Sequence, residues 1–368
     1  MRVLVIGGYG FFGRSLVRLL SSDAQLSVVI AGRSQRDGAA LVAELGPSAQ
    51  AKLSATVIDV QAPDFARALA RLGPQIVVHT SGPFQGQDYR VASACIACGA
   101  HYIDLADGRT FVSQIGTLDT AAREAQVAVI SGASSVPALS SAAVDHLTRD
   151  FARVDDIDIG ISPGNRTERG LSTIQAILSY CGKRLPDAGA GPTYGWSGTR
   201  KHRYPAPVGS RCLSPCDVPD LELLPGHYPG APTIHFGAGL ELQFLHRGMN
   251  VMALMTRLGL VSNWSAYAGV LKWAADLFKG IGTDAGAMHV CATGVLPDGQ
   301  MLSRTWHLVA TDGDGPFVPT LAAAALIRKL KGSAEGWPGA RPCIGLLTLD
   351  DFIHEARGLR ITMAEDAE

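Results

Sequence analysis

The chain has 368 residues, 47% hydrophobic and 18% charged, which fits two ordered domains and excludes a disordered chain. A formal net charge of -1 leaves no global field for nucleic acid, which is therefore not an expected partner. Seven scattered cysteines, an odd number, argue against a secreted disulfide framework. The opening MRVLVIGG has no basic segment followed by an apolar stretch and a cleavage site, so the expectation is a cytoplasmic enzyme or a peripheral protein.

Arg2 to Ile6 is predicted as a short buried strand. It runs into Gly8-Tyr9-Gly10-Phe11-Phe12-Gly13, a G-x-G-x-x-G, and Leu16, Val17, Leu19 and Leu20 give the next helix an apolar face. Glycines are needed there for a tight turn, for approach of the backbone to a pyrophosphate, and for close packing of helix on strand. The helix N-terminus offers unpaired N–H groups to the phosphates. A second strand, Leu26 to Ala31, ends in Gly32-Arg33-Ser34. An NAD site places an acidic residue about twenty residues beyond the glycines to bind the ribose 2′-hydroxyl. Arg33 stands there instead, and a guanidinium suits a 2′-phosphate in charge and in forked geometry. Ser34 can add a hydroxyl donor and Arg36 can assist, so the expected cofactor is NADP.

The alternation continues with a helix at Asp37–Leu45 and a strand at Ala55–Val60 that brings Asp59 to the adenine edge. A helix at Phe65–Leu72 and a strand at Gln75–Thr80 follow. The small residues of Ser81-Gly82-Pro83-Phe84 then shape the nicotinamide side. A helix at Tyr89–Cys98 and strands at Tyr102–Leu105 and Val127–Ile130 complete the pattern. Cys95 and Cys98 lie in an apolar helical run and read as core packing.

Beyond the small-residue loop Gly132–Pro137, a helix at Leu139–Leu147 begins the transition to a second domain. Val154–Ile161 alternates apolar and acidic residues, which predicts a strand with one wet face. Pro186–Pro229 is rich in glycine and proline and contains Arg200-Lys201-His202-Arg203, read as exposed unless it meets an acidic substrate or the cofactor phosphate. Gly248–Gly282 holds apolar helices with Trp264, Tyr267, Trp273 and Phe278, read as a subunit contact or core, with surface attachment to lipid as the other reading. Nothing in it approaches the roughly 18 apolar residues of a membrane span. Ala287–Val295 and Met301–Thr311 predict a hairpin about Pro297-Asp298-Gly299-Gln300, and Pro319 starts an alanine-rich helix to Leu330. No dense metal-ligand cluster is present, and no metal is expected.

The glycine loop, Ala31-Gly32-Arg33, Ser81–Phe84, Ala94–Asp104, Gly132–Pro137 and Gly315–Thr320 together resemble the saccharopine dehydrogenase-like family. That resemblance implies an NADP-dependent oxidoreductase, often dimeric through its N-terminal domain, whose C-terminal segment packs back on the nucleotide domain. Asp107-Gly108 stands where a family segment commonly ends in glycine and glutamate. The expected fold is α/β, a Rossmann-like doubly wound parallel sheet with a second α+β domain containing a mixed or antiparallel sheet. The expected division is 1–135, 136–315 and a returning segment 316–368.

The expected reaction is hydride transfer to or from an imine, carbonyl or amine-bearing small molecule, the substrate partner, in a homodimer. Asp104 and Asp107 are the first choices to orient a substrate amine or handle a proton, followed by Tyr89 and His101. A carboxyl group needs a raised pKa for such work near neutrality. Two other readings stay open: a catalytically inactive NADP-binding regulator or scaffold, and a membrane-surface reductase of a lipid-like substrate.

Overall fold

Val3, Leu4 and Val5 are wholly buried, as consecutive residues of a strand covered on both faces must be. The computed structural model describes residues 1–186, 191–332 and 337–366. Residues 187–190 of the glycine- and proline-rich stretch, and 333–336 and 367–368 of the returning segment, lie outside the described residues. In chain order the strands are β1 (Arg2–Ile6), β2 (Ser27–Gly32), β3 (Lys52–Val57), β4 (Ile76–His79), β5 (His101–Asp104), β6 (Ala128–Ser131), β7 (Arg153–Ser162), β8 (Arg200–Arg203), β9 (Ser210–Pro215), β10 (Thr233–Ala238), β11 (Gly286–Val295), β12 (Met301–Ala310), β13 (Gly339–Pro342) and β14 (Ile361–Glu365). They belong to two compact units, Met1–Leu139 with Phe317–Glu355, and Ser140–Pro316 with Ala356–Glu368.

The first unit is a parallel sheet in the order β13-β6-β5-β4-β1-β2-β3. The helices Phe11–Leu20, Gln35–Leu45, Phe65–Leu72 and Arg90–Ala97 link successive strands. Chain order runs outward from β1 in one direction and from β4 in the other, so a topological switch point lies between them. Ligands of open parallel sheets bind outside the carboxyl ends of the strands at such a point. Leu4, Val29, Val77, Tyr102 and Val129 from the strands pack with Leu69 and Cys95 from the helices. Cys95 is a free buried thiol, in keeping with core packing.

The returning segment divides. The helix Val318–Gly332 buries Leu321 to Ile327, and β13 extends the first sheet beside β6. From Ala356 onward the chain belongs to the second unit, where β14 pairs with β12. An unpaired edge of β12 would leave a row of free backbone groups, and β14 covers it. The boundary between units falls after Leu139.

The second unit is a mixed sheet in the order β14-β12-β11-β7-β10-β9-β8, with β7 and β10 parallel and the other neighbours antiparallel. The predicted hairpin is β11–β12, pairing Val295 with Met301. Ile157, Ile159, Val290 and Trp306 are buried, whereas Asp156 and Asp158, at alternate positions of β7, remain partly exposed.

Candidate cofactor and active site

Gly7 follows β1 with φ of 79°, a conformation that glycine adopts without strain. Its N–H and that of Gly8 donate to the Ala31 carbonyl at 2.8 and 3.3 Å, tying the turn to the end of β2. A Cβ on Gly13 would lie 2.1 Å from the Gly7 carbonyl oxygen and 2.8 Å from Gly8 Cα. Only glycine lets the helix start this close to the turn. Gly10 is the N-cap of the helix Phe11–Leu20, in extended conformation with no side-chain cap and no acidic residue in the first turn. The first-turn N–H groups, including those of Phe11 and Phe12, are therefore open to an anion at the positive end of the helix. The two phenylalanine rings pack on each other at 4.8 Å and are half-buried, so their contribution here is backbone.

Arg33 is exposed and has no hydrogen bond or ion pair with another described residue. Ser34 caps the helix Gln35–Leu45, its Oγ accepting from Asp37 N–H at 3.2 Å, while its own proton stays free for a phosphate oxygen. Tyr9 departs from the expected direct contact. Its ring lies against Gly32, where a Cβ would come within 2.6 Å of it, and its hydroxyl accepts from Ser34 N–H at 2.8 Å. It holds the turn that carries Arg33. Tyr9→Phe keeps the ring and removes the acceptor, a loss of about 1 kcal/mol in a partly buried bond. Titration with NADPH is expected to show binding weakened several-fold with the melting temperature nearly unchanged. Asp59 follows β3 half-buried, its Oδ1 accepting from Gln61 N–H at 3.0 Å, and Ile58 N–H donates to the Gly32 carbonyl at 2.9 Å. Asp59 thus sits beside the end of β2.

After β4, Thr80 N–H and Oγ1 both bond the Ile6 carbonyl at 2.9 Å. A Cβ on Gly7 would lie 2.5 Å from Ser81 Oγ, so the two turns at the switch point touch. Gln87 Nε2 donates to the carbonyls of Ser81 at 2.9 Å and Pro83 at 2.7 Å, fixing the loop. Ser81, Gly82 and Pro83 are only half-buried. Phe84 is a correction: it is buried, its ring edge-on to His79 at 5.1 Å and tilted on Phe111 at 5.3 Å, so it packs the core beneath the loop.

The four acid/base candidates separate. His101 is excluded by direction: it begins β5, at the amino end of the sheet, and its Nδ1 accepts from Ala128 N–H at 3.0 Å. Tyr89 donates to the Phe111 carbonyl at 2.7 Å, and burial, with the charge of Asp104, pushes its pKa to about 12. It is a structural donor. Asp104 closes β5 fully buried, and its Oδ1 accepts from Ala106 N–H at 2.9 Å, Gly132 N–H at 2.8 Å and Ser131 Oγ at 3.0 Å. It pins the loops after β5 and β6, which corrects its expected substrate role to a positioning one. Asp107 stays half-exposed in the loop after β5, where Gln85 Nε2 donates to it at 3.2 Å.

Burial raises Asp104 to about 6 from an ordinary 3.8, against the opposing pull of the Gly132 and Ala106 N–H groups. A raised carboxyl pKa favours the fold most below the unfolded value, and that contribution is lost as pH rises through the folded value. For a shift from 3.8 to about 6 the loss is on the order of 3 kcal/mol. Asp104→Asn cannot ionise. Denaturant titrations across this window are expected to show wild type losing stability relative to the variant as pH rises.

A second cluster went unrecognised in the sequence. In the second unit His202 stacks on His289 at 3.5 Å, and its Nε2 lies 2.9 Å from that of His307. His289 Nδ1 meets the Tyr204 hydroxyl at 3.0 Å, and Arg200 pairs with Asp158. Arg200 and His202 are therefore tied into the sheet, while Lys201 and Arg203 are exposed. Among the described residues no such group is arranged to hold a metal ion.

The parallel sheet, the glycine turn and the uncapped helix define an NAD(P)-binding oxidoreductase fold. Residues 3–132 match the saccharopine dehydrogenase NADP binding domain, and the chain carries a nucleotide domain of that saccharopine dehydrogenase-like kind. Apo saccharopine dehydrogenase (L-Glu forming) from Saccharomyces cerevisiae has a similar fold, with a TM-score of 0.67 at 13% identity over 100% of both chains. The homospermidine synthase of Legionella pneumophila, solved with NAD, is also similar, with a TM-score of 0.60 at 11% identity over 100% of this chain and 91% of that one. At these identities the likeness is one of fold. A search of curated proteins finds no match.

Proposed function

We propose that this protein is an NADP-dependent oxidoreductase that transfers hydride to or from an imine, carbonyl or amine-bearing small molecule. The observation that carries the reading is the pairing of an open, uncapped helix N-terminus at Gly10 with the exposed guanidinium of Arg33, which has no partner among the described residues. The first receives the diphosphate and the second the extra phosphate of NADP. NADP supplies the hydride chemistry when bound. Ser81, Gly82 and Pro83 line the nicotinamide side as small, clamped groups, and Asp59 faces the adenosine. Asp107, half-exposed in the loop after β5, is the carboxylate that orients a substrate amine. Asp104 and Gln87 keep the surrounding loops in place. A cytoplasmic homodimer, associated through the nucleotide domain, completes the proposal; sedimentation tests the dimer.

Consumption of NADPH by the purified protein against panels of imines, aldehydes and ketones tests the activity. Turnover that falls at least about tenfold in Asp107→Asn, with NADPH binding unchanged, is the expected result, on the scale of one lost charge-assisted contact. Tight NADPH binding without turnover across the panel, or of the reverse reaction with amines and NADP, would assign the protein to regulation instead.

A further inference from the structure

Two helices of the second unit turn their apolar stripes outward. In the helix Gln243–Arg257 and the residue after it, Val251, Leu254 and Leu258 follow at intervals of three and four, and all are exposed. Val270, Trp273 and Leu277 repeat that spacing through the helix Ala268–Asp276 and the residue after it, with exposures of 67%, 65% and 64%. The inward face of the first helix instead presents His246 and Ala253, both buried, so its apolar stripe lies away from the core. The arrangement is built, not frayed. Trp264 Nε1 donates to the Met252 carbonyl at 3.0 Å and Thr256 Oγ1 at 2.9 Å, and Asn165 Nδ2 holds the carbonyls of Phe278 and Ile281 at 2.8 and 2.9 Å. Phe244 and Phe278 join the two stretches edge to face at 4.9 Å. Exposed apolar surface built in this way marks an interaction surface.

Charge selects its partner. Between Gln243 and Gly282 the side chains charged near neutrality, histidine apart, are Arg247, Arg257, Lys272, Lys279 and one acid, Asp276, already paired with Lys272 at 2.5 Å. A second copy docked through the same patch would set cationic surface on cationic surface, since a two-fold contact pairs a patch with itself. An anionic bilayer complements it: leucine, valine and tryptophan enter the headgroup boundary while arginine and lysine meet lipid phosphate. No helix among the described residues is long and apolar enough to cross a membrane. We infer that the outward face of these two helices docks the protein on the surface of an anionic lipid bilayer. The inference is independent of the cofactor and of the reaction.

Flotation with vesicles of phosphatidylglycerol and phosphatidylcholine in equal parts tests it, beside vesicles of phosphatidylcholine alone. The full chain is expected to float with the anionic vesicles and to partition at least about tenfold less onto the neutral ones. A Leu258→Ser, Trp273→Ser, Leu277→Ser triple variant replaces exposed side chains only and is expected to lose flotation while keeping its melting temperature. Arg247→Glu with Lys279→Glu leaves the apolar stripe intact but leaves the segment with more acids than bases; it is expected to lose about fivefold or more per charge, and low salt is not expected to restore it. Equal flotation with both vesicle types would overturn the anionic assignment. Absence of flotation would overturn the proposal entirely, and a dimer that the triple variant dissolves would give the surface to a second copy.

Discussion

Gly13→Ala is expected to abolish measurable dinucleotide binding and to destabilise the first unit. The added Cβ would sit 2.1 Å from the Gly7 carbonyl oxygen, and that atom is backbone, held by a turn that bonds Ala31. Either the helix retreats or the turn opens, and both move the N–H groups that meet the phosphates. Overpacking of this type costs about 1–3 kcal/mol of stability. A displaced phosphate site is expected to cost at least about 100-fold in affinity, or roughly 2.7 kcal/mol. Thermal unfolding with and without NADP reads both effects: a lower midpoint, and no shift on adding cofactor. Gly116→Ala serves as the control, because a Cβ there meets nothing within 4 Å. If Gly13→Ala binds NADP as wild type does, the helix N-terminus is not the phosphate site.

Arg33→Ala is expected to leave stability unchanged and to weaken NADP alone. Arg33 is exposed and makes no bond with another described residue, so its removal leaves no buried partner among them. Hydrogen bonds to charged groups contribute about 1.5–3 kcal/mol, which predicts a loss of roughly 10–100-fold for NADP. NAD, which lacks the 2′-phosphate, is expected to change by less than about twofold. The contrast with Gly13→Ala is diagnostic, since the glycine affects both dinucleotides and the arginine one. Parallel titrations of the variant with NADPH and NADH check it.

The first sheet was legible because each βα unit announces itself locally, through an apolar run, a glycine turn and an apolar helical face. Positions set by distant partners were not. β13 joins the sheet from far along the chain, and nothing in Gly339–Pro342 marks it as a strand until Ala128–Ser131 is beside it. β3 begins at Lys52, earlier than its apolar residues indicate, because its ladder is set by the register with β2. The position of Arg33 just after β2 was readable from the sequence, whereas the ring packing of Tyr9 and Phe84 was not. His101 carried a usable signal that was not applied: it opens a parallel strand, and ligands gather where such strands end. The pairing of His289 with His307 was likewise implied by the turn at Pro297–Gly299 through the hairpin register, but the arrival of His202 from β8 was not.

Binding of NADP and NAD to the purified wild-type protein, measured by calorimetry under identical conditions, bears most directly on the account. A diphosphate at the first helix with the ribose phosphate on Arg33 predicts NADP binding at least about tenfold tighter than NAD, from a single charge-assisted contact. NAD binding equal to or tighter than NADP, or no binding of either, would contradict it.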